Sequence, residues 1–214
     1  MGVKRSLAAI SSLIALAPSA ASAEGDAGAG RAKADQERCI ECHGADGVAT
    51  APDRPNLAGQ KVRYLARQLR DFRLSARGAR SDSRLGDRQH PVMNAQARDL
   101  SDQDIEDIAA WFAALPCGPR GEALERPSPQ KATRCAICHG ADGFSGNTLV
   151  PNIGGQNRPY LAQQLLVYRE SAQGRTPWMG NRRQHPMMTP QSVPLTDDEI
   201  GTLANYFAGL DCRW

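Results

Sequence analysis

Two five-residue stretches carry the most specific chemistry in this chain: Cys39-Ile40-Glu41-Cys42-His43 and Cys135-Ala136-Ile137-Cys138-His139. Two thiols at this spacing can each form a thioether to a porphyrin. The adjacent histidine then reaches the iron from one side, which makes C-x-x-C-H the attachment signature of a c-type haem. C-x-x-C alone is also half of a zinc site or a thiol redox pair. Here the motif recurs after 96 positions, and each copy runs on into Gly-Ala-Asp-Gly at residues 44–47 and 140–143. A zinc site gathers four ligands into one closed place, and no second Cys or His pair flanks either motif. The motifs therefore imply two covalently attached haems held by Cys39, Cys42, Cys135 and Cys138, with His43 and His139 as iron ligands.

Helices have to position these groups. Residues 26–38 are rich in alanine and charge and lead into Cys39, which predicts a helix ending at the motif. A second helix is predicted from near Lys61, with Val62, Leu65, Leu69 and Phe72 on one apolar stripe and Arg63, Arg67, Arg70 and Arg77 opposite. Residues 78–94 read as polar and irregular. Ser101 with Asp104 resembles a helix cap and its reciprocal partner, followed by the stripe Ile105, Ile108, Ala109, Phe112 and Leu115. The second half replays this plan. Residues 56–60 return as 152–156, Tyr64 as Tyr160, and residues 89–91 as 184–186. Thr196 and Glu199 form a capping box ahead of Ile200, Leu203, Ala204, Phe207 and Leu210. The offset slips from 96 to 95 between Phe72 and His90, so the chain is an internal duplication.

At 214 residues the chain suits two small domains. Lys4 and Arg5, an apolar run from Leu7 to Ala17 and the ending Ala21-Ser22-Ala23 predict a secretory signal over 1–23, cleaved near Ala23/Glu24. The first domain is expected over 24–117, a Pro- and Gly-rich linker over 118–129, and the second domain over 130–214. Removing the signal changes the formal charge from +3 to +1, which argues against nucleic acid as a partner. No later stretch approaches the ~20 apolar residues of a membrane helix, so the mature chain is expected to be soluble and, with its haems, periplasmic. Each half has fewer than 100 residues and buries a marginal core by itself, so both are expected to form around their haems.

The paired C-x-x-C-H-G-A-D-G motifs, the Pro-Asn-x-x-Gly-Gln segments and a methionine seven residues before Leu-Ser or Leu-Thr resemble the class I cytochromes c. The resemblance is specifically to the dihaem cytochrome c4 family, and it covers nearly all of the mature chain. It implies an all-α fold of two tandem class I cytochrome c domains, each wrapped around one covalent haem. It makes His43 and His139 proximal ligands and has Pro55 and Pro151, each twelve residues after its histidine, offer a carbonyl to the other ring nitrogen. In that family the domains face each other through their haem carboxylate edges, which would put Tyr64 and Tyr160 near the interface. One departure is visible: Pro127 and Pro129 shorten the N-terminal helix expected of the second domain.

For the sixth ligand, Met93 and Met188 stand in register at offset 95, whereas Met187 aligns with Val92 and Met179 has no counterpart. The family pattern favours Met93 and Met188, and His90 and His185, three residues earlier, would give bis-histidine haems of lower potential. His/Met ligation closes both axial positions and suits a non-enzymatic electron carrier. That carrier would pass electrons between respiratory donors and a terminal oxidase or reductase. The alternatives are a dihaem subunit of a dehydrogenase, such as a flavocytochrome sulfide dehydrogenase, or a haem enzyme with an open axial site. Arginine is dense over residues 63–88, but residues 24–118 hold 14 basic against 15 acidic groups, which weakens a reading of this stretch as a docking surface for an acidic partner. Cys117 and Cys212 are not used by the motifs and lie 95 apart. In an exported chain they are expected to pair between the domains, the alternatives being a bridge between molecules or two free thiols.

Overall fold

The computed structural model describes residues 25–79, 87–117, 128–176 and 180–212. The expected signal, most of the expected linker and Met179 lie outside them. Two helical units follow one another, each with its own apolar core. In the first, Asp26 accepts from the amides of Gly28 and Ala29 and so starts α1 (Ala27–Gln36). The predicted single helix into the motif is in fact two. Arg38 takes a left-handed backbone (φ 58°), its guanidinium pairs with Glu41 at 2.7 Å, and α2 (Cys39–His43) begins afresh.

A loop leads from α2 to α3 (Val62–Ala76). Leu65 and Phe72 are buried and Leu69 packs on the core, but Val62 lies at the surface. A straight helix drifts away from a strict stripe, and Tyr64 and Ala66 fill its buried side instead. Within the stretch 78–94, expected to be irregular, lie the short strand β1 (Asp87–Gln89) and the start of the helix α4 (Pro91–Ala97). The capping box of Ser101 and Asp104 is present and opens α5 (Asp102–Ala114). α5 crosses α1 so closely that a Cβ on Gly30 would stand 1.9 Å from the carbonyl oxygen of Asp107, a contact only glycine allows.

The second unit begins with α6 (Ala132–His139), with no helix before it among the described residues, in keeping with the prolines noted above. It continues through α7 (Arg158–Ala172), β2 (Arg182–Gln184), α8 (Met188–Ser192) and α9 (Asp197–Ala208), the last opened by the Thr196–Glu199 capping box. The architecture is thus two tandem cytochrome c-type helical domains with a very small sheet that the all-α expectation did not include.

That sheet joins the domains. β1 and β2 pair antiparallel, with Arg88 opposite Arg183. Gln60 donates to the carbonyl of Asn152 and accepts from its amide, both at 2.9 Å. Gln156 does the same for Asn56, at 2.8 and 2.7 Å. Both glutamines are buried, and the two bonds of each satisfy backbone groups that would otherwise be orphaned between the domains. Cys117 and Cys212 form a disulfide across the same junction, with their Cα atoms 6.0 Å apart.

Candidate haem sites

One turn of α2 or α6 sets the two motif cysteines on one side, with the histidine next to the second. Burial, followed by the charge of Glu37, pushes the Cys39 thiol up to about 11, and burial raises Cys135 as well. A reactive thiol pair needs the opposite shift, so a redox role for these cysteines is disfavoured. Among the described residues no three His, Cys, Asp or Glu side chains gather to hold a metal ion, which leaves a zinc site without its ligands.

His43 and His139 are both buried. Nδ1 of His43 lies 3.1 Å from the Pro55 carbonyl, and Nδ1 of His139 lies 2.9 Å from that of Pro151. A carbonyl only accepts, so in both rings Nδ1 carries the proton and Nε2 keeps a bare lone pair. Burial lowers the pKa of both rings and keeps them neutral. The chain turns away at once through Gly44 and Gly140, at φ 83° and 82°, where a Cβ would meet the carbonyl oxygens of Val48 and Phe144 at 2.2 and 2.1 Å. Two free thiols on one helical turn beside a buried imidazole with an open Nε2 fit a covalent haem in each domain.

Met93 sits on α4, half-buried against the first core, and Met188 is half-buried at the first position of α8. Both were expected in loops. The exposed Met187 is 60% accessible. His90 caps α4, and His185 makes the matching bonds just ahead of α8. Nδ1 of His90 accepts from the amide of Met93 at 3.4 Å, and Nδ1 of His185 accepts from those of Met187 and Met188 at 3.2 and 3.3 Å. Burial lowers both rings, His185 to about 4.

Sequence reasoning passed over Gln60, Gln156, Arg88 and Arg183. The arginine-dense stretch was weighed as a solvated face or a docking surface, yet Arg88 points into the domain junction and donates to the Tyr160 hydroxyl at 3.0 Å. The available signal was the repeat itself, because Gln60 recurs as Gln156 and Arg88 as Arg183.

The family model for Cytochrome c matches residues 27–116 and 130–211. Cytochrome c4 of Pseudomonas aeruginosa is 36% identical over 202 residues, covering 89% of this chain and 91% of that protein. A Stutzerimonas stutzeri protein named thiosulfate dehydrogenase electron acceptor is 31% identical over 189 residues, covering 80% of this chain and 78% of its own length. The crystal structure of reduced recombinant cytochrome c4 from Pseudomonas stutzeri superposes with a TM-score of 0.67 at 33% identity, over 87% of this chain and 100% of that one. Fold and site define a tandem covalent-haem protein of the electron-transfer class. The chain belongs to the cytochrome c family and, within it, to the dihaem cytochromes c4, with two covalently bound c-type haems.

Proposed function

We propose that this chain is a periplasmic electron carrier, exported by its first 23 residues, whose irons are held by His43 with Met93 and by His139 with Met188. The observation that carries this reading is the opposite tautomers of the two histidine pairs. His43 and His139 donate through Nδ1 and leave Nε2 bare, whereas His90 and His185 accept through Nδ1. A neutral imidazole that accepts at Nδ1 carries its proton on Nε2, so His90 and His185 would have to give up that proton to bind iron. Met93 and Met188 stand on α4 and α8, directly after those histidines, and their soft thioethers suit the remaining axial position.

When bound, such a haem takes up and releases one electron without opening a coordination position to substrate. The chain's own residues do the rest. Pro55 and Pro151 fix each proximal ring's tautomer and raise its basicity. The short helices α4 and α8 hold the methionines, and the apolar clusters around Phe112 and Phe207 exclude water. The proposed partners are respiratory donors and a terminal oxidase or reductase.

The test is optical. Both ferric centres should show the methionine-to-iron charge-transfer band, with Met93→Ala and Met188→Ala each removing about half of it. The reduced protein should bind carbon monoxide poorly. A wild type without the band, resembling a bis-imidazole haem, would overturn the ligand assignment.

A second reading is supported by the likeness to the thiosulfate dehydrogenase electron acceptor: a dihaem partner or subunit of a sulfur-oxidising dehydrogenase. Purifying the native protein separates the readings. A co-purifying dehydrogenase, or rapid reduction by thiosulfate dehydrogenase with thiosulfate, favours the second.

A further inference from the structure

The carbonyl of Pro55 and the N–H of Asn56 belong to one peptide group, and so do the carbonyl of Pro151 and the N–H of Asn152. Both peptide bonds are trans, so the oxygen and the N–H leave each planar group in opposite directions. On the oxygen side stands a haem-anchoring ring: Nδ1 of His43 at 3.1 Å from Pro55, and Nδ1 of His139 at 2.9 Å from Pro151. On the other side the acceptor is a side chain of the opposite domain. The Asn56 N–H donates to Oε1 of Gln156 at 2.7 Å, and the Asn152 N–H donates to Oε1 of Gln60 at 2.9 Å. The orientation of both side-chain amides is forced. A backbone N–H only donates, so each glutamine must turn its oxygen to it, and its Nε2 then donates to the carbonyl of the same asparagine at 2.8 or 2.9 Å. A hydrogen-bonded chain thus runs from each imidazole through one peptide group to a glutamine of the other domain.

Such a chain polarises in one sense. Resonance gives the peptide C–N bond partial double-bond character and gathers negative charge on the oxygen. An acceptor at the N–H favours that form, which makes the carbonyl a stronger acceptor for the ring. Hydrogen bonds in series strengthen one another in this way, most of all where the surroundings are of low dielectric. Asn56, Asn152, Gln60 and Gln156 are all buried. A stronger acceptor at Nδ1 makes the ring more basic at Nε2, the atom left for iron. We propose that Gln156 tunes the haem potential of the first domain and Gln60 that of the second, each acting across the domain junction through the Pro-Asn peptide behind the opposite histidine. Each histidine then reaches its full donor strength only while the two domains are docked. Gln60 and Gln156 are positioning residues, since each acts on a ring through an intervening peptide. This inference rests on the proposed ligation by His43 and His139 and not on the identity of the sixth ligands.

The first relay is braced independently of its glutamine. Nδ2 of Asn157 donates to the carbonyl of Arg54 at 2.6 Å, so the second domain also holds the residue before Pro55. The Asn56 side chain accepts from the amide of Ala49 at 3.0 Å, and that of Asn152 from Ser145 at 3.4 Å. These bonds keep both Pro-Asn segments in place when a glutamine is changed.

The test is crossed. Gln156→Met and Gln60→Met nearly keep the side-chain volume and remove the acceptor. A less basic ring favours the ferrous state. In Gln156→Met the haem of the first domain should therefore respond: its ferrous-to-ferric ratio at fixed ambient potential should rise about twofold, or about 18 mV for one electron. In the reduced, diamagnetic protein the Nδ1 proton of His43 should move upfield and that of His139 should stay. Gln60→Met should do the converse. A junction that merely loosens would move both haems in either variant. That outcome, a shift confined to the haem of the altered domain, or unchanged potentials and ring protons would each overturn the proposal.

Should the methionine variants not mature, Gln156→Asn and Gln60→Asn keep a polar group in the junction and withdraw it by one methylene. The same crossed shift is expected of them, and its absence counts equally against the relay. The wild type is measured first, and His43 and His139 should each carry a proton on Nδ1 with Nε2 on iron. A wild type in which either ring is unligated would overturn the ligation reading and this proposal with it. Failure of the relay alone looks different: both rings are ligated, and the crossed shift is missing.

Discussion

In each domain both histidines turn Nδ1 to the backbone, and they differ in whether that nitrogen donates or accepts, the difference on which the proposed ligand assignment rests. His90 caps α4 through Nδ1, a role asparagine also performs well. His90→Asn should keep both the stability and the charge-transfer band; loss of half the band would make His90 a ligand. The turn after each proximal histidine is equally demanding. Gly140 combines φ 82° with a Cβ position 2.1 Å from the Phe144 carbonyl oxygen, so alanine there is both strained and in collision. Gly140→Ala should cost at least about 1–3 kcal/mol in denaturant unfolding of the haem-bound protein. An unchanged unfolding midpoint would mean that the turn can relax elsewhere. The exposed Ile137 beside Cys138 marks how little of the α6 motif is sequestered by the chain itself.

At the scale of elements, what was legible in the sequence followed the range of the forces involved. α5 and α9 announced themselves because a capping box and an apolar stripe are both local, and the structure has both boxes and buries Ile105, Ile108, Ile200 and Leu203. Removing a capping hydroxyl with Ser101→Ala or Thr196→Ala should cost about 0.5–2 kcal/mol in each domain, read by chemical denaturation. The short helices α4 and α8 gave no such sign, since seven and five residues are too few to display a period. Strands of three residues are equally silent, because Arg88 meets its partner Arg183 only after the intervening domain has folded. The motif-bearing segment was legible in its chemistry and not in its shape: nothing in the residues before Cys39 signals the left-handed Arg38 that separates α1 from α2. The candidate site was readable as a set of residues. The tautomers that distinguish its histidines depend on Pro55, Pro151 and two helix starts, and these required the fold.

Over the whole molecule, the domains are joined by contacts of three kinds: the reciprocal amides of Gln60 and Gln156, the strand pair around Arg88 and Arg183, and the Cys117–Cys212 disulfide. The first two are reversible. The third holds the ends of α5 and α9 together whatever the state of the other two. In the chain-entropy account, a cross-link over a separation of 95 residues stabilises the folded state by up to ~4–5 kcal/mol, through the unfolded chain it constrains. Neither cysteine belongs to the proposed ligand set, so stability and redox behaviour should separate. The Cys117→Ser/Cys212→Ser double variant should unfold at lower denaturant by up to that amount, and mild thiol reduction of the wild type should reproduce the shift. Both potentials and the charge-transfer band should stay where they were. With a protease site inserted between residues 122 and 123, the cleaved wild type should run as one species without reductant and as two fragments with it. Two alkylatable thiols in the denatured, unreduced protein, beyond any left by unattached haem, would show that the bridge does not form. A covalent dimer would show that these cysteines join separate molecules instead.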